Sequence, residues 1–420
     1  MNMKGNIFYA QSGGVTPVIN ATASGLIDAY FDNRKYFNKF YAGKNGILGA
    51  LREELIDISQ ESRSQLKLLK YTPGGAFGSC RLKLKDFENS QREFQRIYEV
   101  FKAHGINYFF YNGGGDSQDT TNKISKYFKL KKYPITCIGL PKTIDNDLPI
   151  THCCPGFGSV AKYIATSTLE ASLDVKSMSE TSTKVFILEV MGRHAGWLAA
   201  SSGIIKEKPS DPPHLILFPE IEFKQKVFLD RVKATIKKYG YCVIVASEGI
   251  KSKGRFLSDS GLKDSFGHAQ LGGVAPVLSD LISTKLKYKV HWAVSDYLQR
   301  SARHISSKVD VDQAYMLGKS GIIYAKKGIT DVMLTIKSQS PKNKFKWTIS
   351  HAALSKVANV EKKLPKSFIK NNEYEISKSC KKYISDLATG ENYPYYVNGV
   401  PKYAKLECKT VKRKLKVFKL

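Results

Sequence analysis

The chain of 420 residues contains no window approaching the roughly 20 apolar residues needed to cross a bilayer. It also lacks a charged-then-apolar leader, and its first residues run straight into a strand-like pattern. Membrane insertion and secretion are not expected. Cysteine is sparse: Cys80, Cys137, Cys153, Cys154, Cys242, Cys380 and Cys408 make an odd total of seven at no metal-ligand spacing. Reduced thiols in a cytoplasmic protein are expected, without a disulfide framework. No Gly-x-x-x-x-Gly-Lys-Ser/Thr segment occurs, which excludes a P-loop nucleotide site. Arginine is scarce as well, at 12 of the 66 basic residues.

That last shortage qualifies the largest excess. The 66 Lys plus Arg against 37 Asp plus Glu give +29, a balance that points to nucleic acid or an anionic membrane. Recognition of phosphates and base edges favours arginine, however, and the lysines are spread along the chain singly or in pairs. Only Lys402–Leu420 is dense, with eight basic residues against the lone Glu407, and there Val411, Leu415 and Phe418 interrupt the charge. A solvated lysine surface is expected, with no nucleic acid and no membrane as partner. Hydrophobic residues at 42 % and aromatics at 11 % are ordinary for a folded chain long enough for two domains.

Short apolar runs alternate with stretches of helical period, the pattern of βαβ units and a parallel sheet. Strands are predicted at Asn6–Ala10, Asn107–Tyr111, Ile135–Leu140, Lys184–Met191, Leu215–Phe218 and Tyr241–Ala246. Helices are predicted at Pro17–Tyr30, Ser117–Phe128, Ser159–Ser177, Lys224–Lys238, Val274–Lys287, Trp292–Ser306 and Asp310–Lys327. The lysine-rich run Ser338–Lys344 reads as an exposed loop. Nearly every glycine-rich or charged cluster follows a predicted strand. In an open α/β sheet that edge is where ligands bind, because loops and helix N-termini converge there.

Five clusters carry the chemistry. Ser12-Gly13-Gly14 follows the first strand, with Pro17 expected in the first turn of the next helix. Such glycines let backbone N–H groups approach a phosphate, or simply make a tight turn. In Asn112-Gly113-Gly114-Gly115-Asp116-Ser117, either Asp116 or Ser117 caps the helix, or the carboxylate holds Mg²⁺ or excludes a longer anion. Pro141-Lys142-Thr143-Ile144-Asp145-Asn146-Asp147 packs a cation, a hydroxyl and paired carboxylates into one loop. Phosphoryl transfer uses that set: Lys neutralises the moving group, and Asp takes the proton of the attacking hydroxyl or holds Mg²⁺. Met191-Gly192-Arg193-His194 offers an arginine to a phosphate or sugar hydroxyl, with His194 read as structural. Ser247-Glu248-Gly249 offers a carboxylate to a sugar hydroxyl, or a cap.

With these clusters in order the chain resembles the 6-phosphofructokinase family, and more closely its pyrophosphate-dependent branch. The resemblance extends through Gly74-Gly75-Ala76-Phe77-Gly78-Ser79-Cys80-Arg81 and Pro155-Gly156-Phe157-Gly158-Ser159 to Gly267-His268-Ala269-Gln270-Leu271-Gly272-Gly273. It implies an α/β fold of two Rossmann-like domains with mostly parallel sheets and the active site between them. A donor domain is expected from 1–150 with part of 275–400, a fructose 6-phosphate domain from 151–274, and a C-terminal extension over 338–420 packing on the body. The resemblance further implies a homodimer or higher homo-oligomer and Mg²⁺ as cofactor.

Residue by residue, it makes Asp145 the base for the 1-hydroxyl of fructose 6-phosphate, with Lys142, Asp116 and Arg81 as catalytic partners. Gly14, Gly115 and Ser117 fall to the donor. Thr143, Ile144, Met191, Gly192, Arg193, Glu248, His268, Tyr297, Arg300 and Lys184 fall to the sugar phosphate, Lys184 standing where relatives reach in from a neighbouring subunit. Gly115 stands where the family usually has a Mg²⁺-linked Asp or Asn, so Asp116 or Asp145 is expected to take the metal. ATP-using relatives have Gly at the places of Asp116 and Lys142. A carboxylate facing a nucleotide phosphate at about 4 Å costs about 4 kcal/mol at an effective dielectric of about 20, about three decades in affinity. Pyrophosphate is therefore the expected donor. An ATP-dependent or mixed-donor enzyme, and a non-catalytic sugar-phosphate-binding regulator, are the alternatives.

Overall fold

The computed structural model describes residues 4–419 apart from 264–268, 272, 340–344 and 372. Its main strands are β1 (Asn6–Gln11), β2 (Phe40–Gly43), β3 (Leu55–Asp57), β4 (Ile106–Gly113), β5 (Thr136–Pro141), β6 (Val185–Val190), β7 (Leu215–Leu217), β8 (Cys242–Ser247), β9 (Val290–Val294), β10 (Val332–Ser338) and β11 (Trp347–Ala353). A seven-stranded sheet has the order β11-β10-β5-β4-β1-β2-β3, and a four-stranded sheet the order β9-β6-β8-β7. β10, β5, β4, β1 and β2 run parallel, with β11 and β3 antiparallel at the edges. The smaller sheet is wholly parallel. Central strands such as β4 and β8 are buried on both faces, which is why they read as unbroken apolar runs.

The chain crosses between the sheets. β10 and β11 return residues 332–353 to the first sheet, so the C-terminal region starts as part of that sheet's edge. The second sheet extends past residue 274 to β9. Helix Lys308–Lys326 lies against helix Ile19–Asp32 at backbone contact. A Cβ on Gly25 would sit 2.0 Å from the Tyr315 carbonyl oxygen, and one on Gly318 2.0 Å from that of Thr22. Asp310, 1 % exposed, accepts from Gly156 N–H and Ser159 N–H at 2.9 Å each, fixing the start of helix Phe157–Met178.

Several expectations are corrected. The predicted helix Trp292–Ser306 is a strand, β9, followed by a short helix Asp296–Ser301 and a turn of 3₁₀ helix Arg303–Ile305. Alternating Val290, Trp292 and Val294 pair with β6, and sheet pairing overrides the helical period. Helix 19–32 starts two residues after Pro17 and has no side-chain cap. β2, β3, β10, β11 and helices Gln91–Ala103 and Lys378–Ala388 were not anticipated. Most of the Ser338–Lys344 loop lies outside the described residues, and no described helix is long and apolar enough to cross a membrane.

The basic tail is docked. Val411 N–H donates to Leu55 O at 2.9 Å and Asp57 N–H to Lys409 O at 3.3 Å, covering the outer edge of β3. Val411, Leu415 and Phe418 pack against the core beneath. Buried Glu53 accepts from the N–H groups of Lys414 (2.5 Å) and Leu415 (3.1 Å) and contacts His104 (2.7 Å) and Arg96 (3.5 Å). Burial pushes its pKa up, but the Lys414 N–H, His104 and the Leu415 N–H outweigh it and hold the carboxyl below its ordinary value. Its contribution is thus present above the unfolded-state pKa and lost as pH falls through the folded one. Glu53→Ala should cost about 2–4 kcal/mol in urea unfolding at neutral pH and speed tryptic cleavage of the tail; unchanged values would show the latch to be idle.

Candidate functional site

Loops at the carboxyl ends of strands from both sheets enclose a cleft of about 740 Å³. β1 leads into Ser12–Val15, β4 into Gly114–Ser117, β5 into Lys142–Leu148, β6 into Met191–Ala195 and β8 into Glu248. Tyr297 and Arg300 come from the helix after β9. Arg81 arrives beside Gly14 because Gly13 N–H donates to Cys80 O at 2.9 Å and Ser79 Oγ to Gly13 O at 2.8 Å.

The β5 loop forms the floor. Lys142, 3 % exposed, donates to Gly14 O at 2.5 Å, tying the β5 and β1 loops together. Burial, with help from Arg300 and Arg81 and against Asp145 and Asp147, pushes its pKa down to about 8. Asp145 keeps some surface on the cleft. Burial first, then Asp147 and Glu248, push its carboxyl up to about 7, against the pull of Lys142 and Arg193. Asp145 N–H donates to Thr143 Oγ1 at 3.1 Å, and Ile144 packs inward at 6 % exposure. Asp147 is raised chiefly by burial, and its Oδ1 has no hydrogen-bond partner.

Gly14 lies close under the Arg300 guanidinium: a Cβ there would be 2.7 Å from one of its nitrogens, so any larger residue would push the Arg300 head group aside. Arg300 itself stacks 4.1 Å from the centre of the Tyr297 ring. On the far wall, Gly192 N–H donates to Glu248 Oε1 at 3.2 Å, and burial raises the Glu248 pKa. Met191 and Arg193 line the same wall.

At another side of the cleft, helix Gly115–Leu130 points its N-terminus inward. Its N-cap is Gly114, with no side-chain cap bond, so neither Asp116 nor Ser117 plays that part. Ser117 is buried, and a Cβ on Gly115 would meet open space. Asp116 forms an ion pair with Lys83 at 2.7 Å. It is therefore a paired, partly solvent-screened carboxylate rather than the bare charge the sequence suggested.

The structure thus gathers Gly14, Arg81, Gly115, Asp116, Ser117, Lys142, Thr143, Ile144, Asp145, Met191, Gly192, Arg193, Glu248, Tyr297 and Arg300 in one cleft. Lys184 is not among them. It precedes β6 at the opposite end of that strand and donates to the carbonyls of Ser179 and Glu180. His268 lies outside the described residues. His194 is exposed at the rim, its Nδ1 3.3 Å from a Glu361 carboxylate oxygen. Sequence reasoning missed Lys83 and the segment Asn359–Lys363, which also lines the cleft. A Glu-Lys-Lys run reads as solvated surface, and nothing in it signals otherwise.

A model of the family described as "Phosphofructokinase" matches residues 6–319. The pyrophosphate–fructose 6-phosphate 1-phosphotransferase of Halomonas elongata is 56 % identical over 416 residues, covering 99 % of each chain. The protein of that name from Methylococcus capsulatus is 53 % identical, covering 98 % of each. Among solved structures, the pyrophosphate-dependent phosphofructokinase of Marinobacter aquaeolei superposes with a TM-score of 0.91 at 53 % identity, over 99 % of this chain and 100 % of that one.

If Asp145 must be ionised and Lys142 protonated, kcat/KM should rise with pH through about 7 and fall above about 8. A profile flat from pH 6 to about 9 would remove both from the working site.

Proposed function

The chain belongs to the phosphofructokinase family, and from that premise we infer that it transfers a phosphoryl group from pyrophosphate to the 1-hydroxyl of fructose 6-phosphate, reversibly. The observation that carries the reading is the β5 loop, where Lys142 and Asp145 share a buried wall with pKa values drawn toward neutrality. Asp145 accepts the proton of the attacking hydroxyl. Lys142 and Arg81 meet the charge of the donor and of the moving phosphoryl group, and Arg193 and Arg300 hold the sugar phosphate. Alignment of donor and acceptor across one cleft supplies much of the rate. The anhydride of pyrophosphate and the ester product differ less in energy than with ATP, so the same wall serves both directions of glycolytic flux.

Mg²⁺ belongs to this reading. Among the described residues no cluster of three or more His, Cys, Asp or Glu could hold a metal alone. The ion usually takes one or two carboxylates plus substrate phosphates; Asp147, whose Oδ1 has no hydrogen-bond partner, fits that demand, and Asp116 would do so in exchange for its ion pair with Lys83. When bound, it would neutralise phosphate charge. All seven cysteines are unpaired and six are buried, which supports a reducing, cytoplasmic setting.

Self-association is part of the proposal too. β9 is an edge strand, and Trp292, Val294, Tyr297 and Leu298 are 46 %, 40 %, 63 % and 65 % exposed beside the cleft. Such an edge favours pairing with a second copy. Light scattering should give at least a dimer, and Leu298→Glu should shift it toward the monomer; a monomeric wild type would refute this.

Initial rates with pyrophosphate and with ATP, side by side, test the donor. Pyrophosphate should win by orders of magnitude, and Asp145→Ala should lose roughly three or more decades of kcat with KM little changed. Faster turnover with ATP would transfer the reading to the nucleotide-dependent alternative. Binding of fructose 6-phosphate without turnover would favour the regulatory one.

A further inference from the structure

The loop that carries the base is held from a part of the chain beyond the family match. Asn146 lies between Asp145 and Asp147 with φ of +54°, in the left-handed region that asparagine tolerates but does not prefer. Its side chain is fully buried. Its Oδ1 accepts from Cys154 N–H at 3.0 Å, which fixes the amide orientation and leaves Nδ2 to donate to the Tyr383 hydroxyl at 2.9 Å. That hydroxyl in turn donates to His152 O at 2.6 Å, closing a bridge across both ends of the loop. The Tyr383 ring is wedged among His152, Trp197 and Phe368, at centroid distances of 4.9, 5.4 and 5.7 Å.

A second clamp lies alongside. Lys362 N–H donates to Asp147 O at 2.6 Å, and its ammonium donates to Thr151 O and His152 O at 3.2 Å each. Trp197 Nε1 donates to Lys362 O at 3.1 Å. The family model ends at residue 319, so Lys362 and Tyr383 both belong to the portion it does not describe.

We propose that Tyr383 is a positioning residue for phosphoryl transfer: through Asn146 it fixes the left-handed turn that aims Asp145 into the cleft. The inference rests on Asp145 acting as the base. A buried amide has few ways to satisfy its donors, so removing the hydroxyl leaves Asn146 Nδ2 and His152 O without this partner and relaxes the turn. The substrate-binding side chains Arg193, Glu248, Tyr297 and Arg300 stand on other elements and keep their places.

The test is a double-mutant cycle on kcat with Tyr383→Phe, Asn146→Gly and their combination. Tyr383→Phe keeps the packed ring and removes only the hydroxyl. It should lower kcat about tenfold with both KM values within about twofold of wild type, because the base is misplaced while binding is intact. In the Asn146→Gly background, which has already lost the amide, the Phe substitution should lower kcat by less than about twofold. An unchanged kcat in Tyr383→Phe, a loss confined to KM, or an undiminished tenfold loss on top of Asn146→Gly would each overturn the proposal. The wild-type rate separates this from the functional reading: activity with ATP instead of pyrophosphate would overturn the donor, and the cycle is then read with ATP. Absence of transfer from either donor would overturn both.

Discussion

A lysine ammonium taken out of water beside carboxylates that cannot all ionise is the constraint on which this molecule is built. Lys142 reaches Gly14 O because β1, β4 and β5 end side by side, and they do so because central parallel strands bury both faces. Its charge makes a buried Asp145 tolerable, and the excess of carboxylate around Asp145 and Asp147 in turn keeps Lys142 charged near neutrality. Neither group would be useful in water, where one is always ionised and the other always protonated at pH 7. The fold places them where each corrects the other.

The sequence shows this chemistry because it is local. Lys142, Thr143, Asp145 and Asp147 fall within one loop after an apolar run, so residue type and spacing alone reveal the floor of the cleft. What assembles from a distance was not legible. Lys83 is one lysine among many until it meets Asp116, and Asn359–Lys363 has the composition of any solvated turn. β9 was read as helix because Trp292–Ser306 carries a helical period, and only the neighbouring β6 decides otherwise.

The charge of +29 takes on a more modest meaning. Few of the cations face the cleft, while the densest run, at the C-terminus, lies against β3, with its apolar residues inward and its backbone bound to Glu53 and Glu61. A stretch that reads as a basic arm is the cover of a sheet edge.

The bond between Asn146 and Tyr383 spans 237 residues of sequence. On a ribosome, the β5 loop emerges long before the helix that will hold it, so the strands of the first sheet can pair while the loop at their tips is still unset. The turn at Asn146 therefore cannot gain this bond until residue 383 has been made. A chain released short of residue 383 would have Lys142 and Asp145 but not the hydroxyl that meets the buried amide of Asn146 beside them.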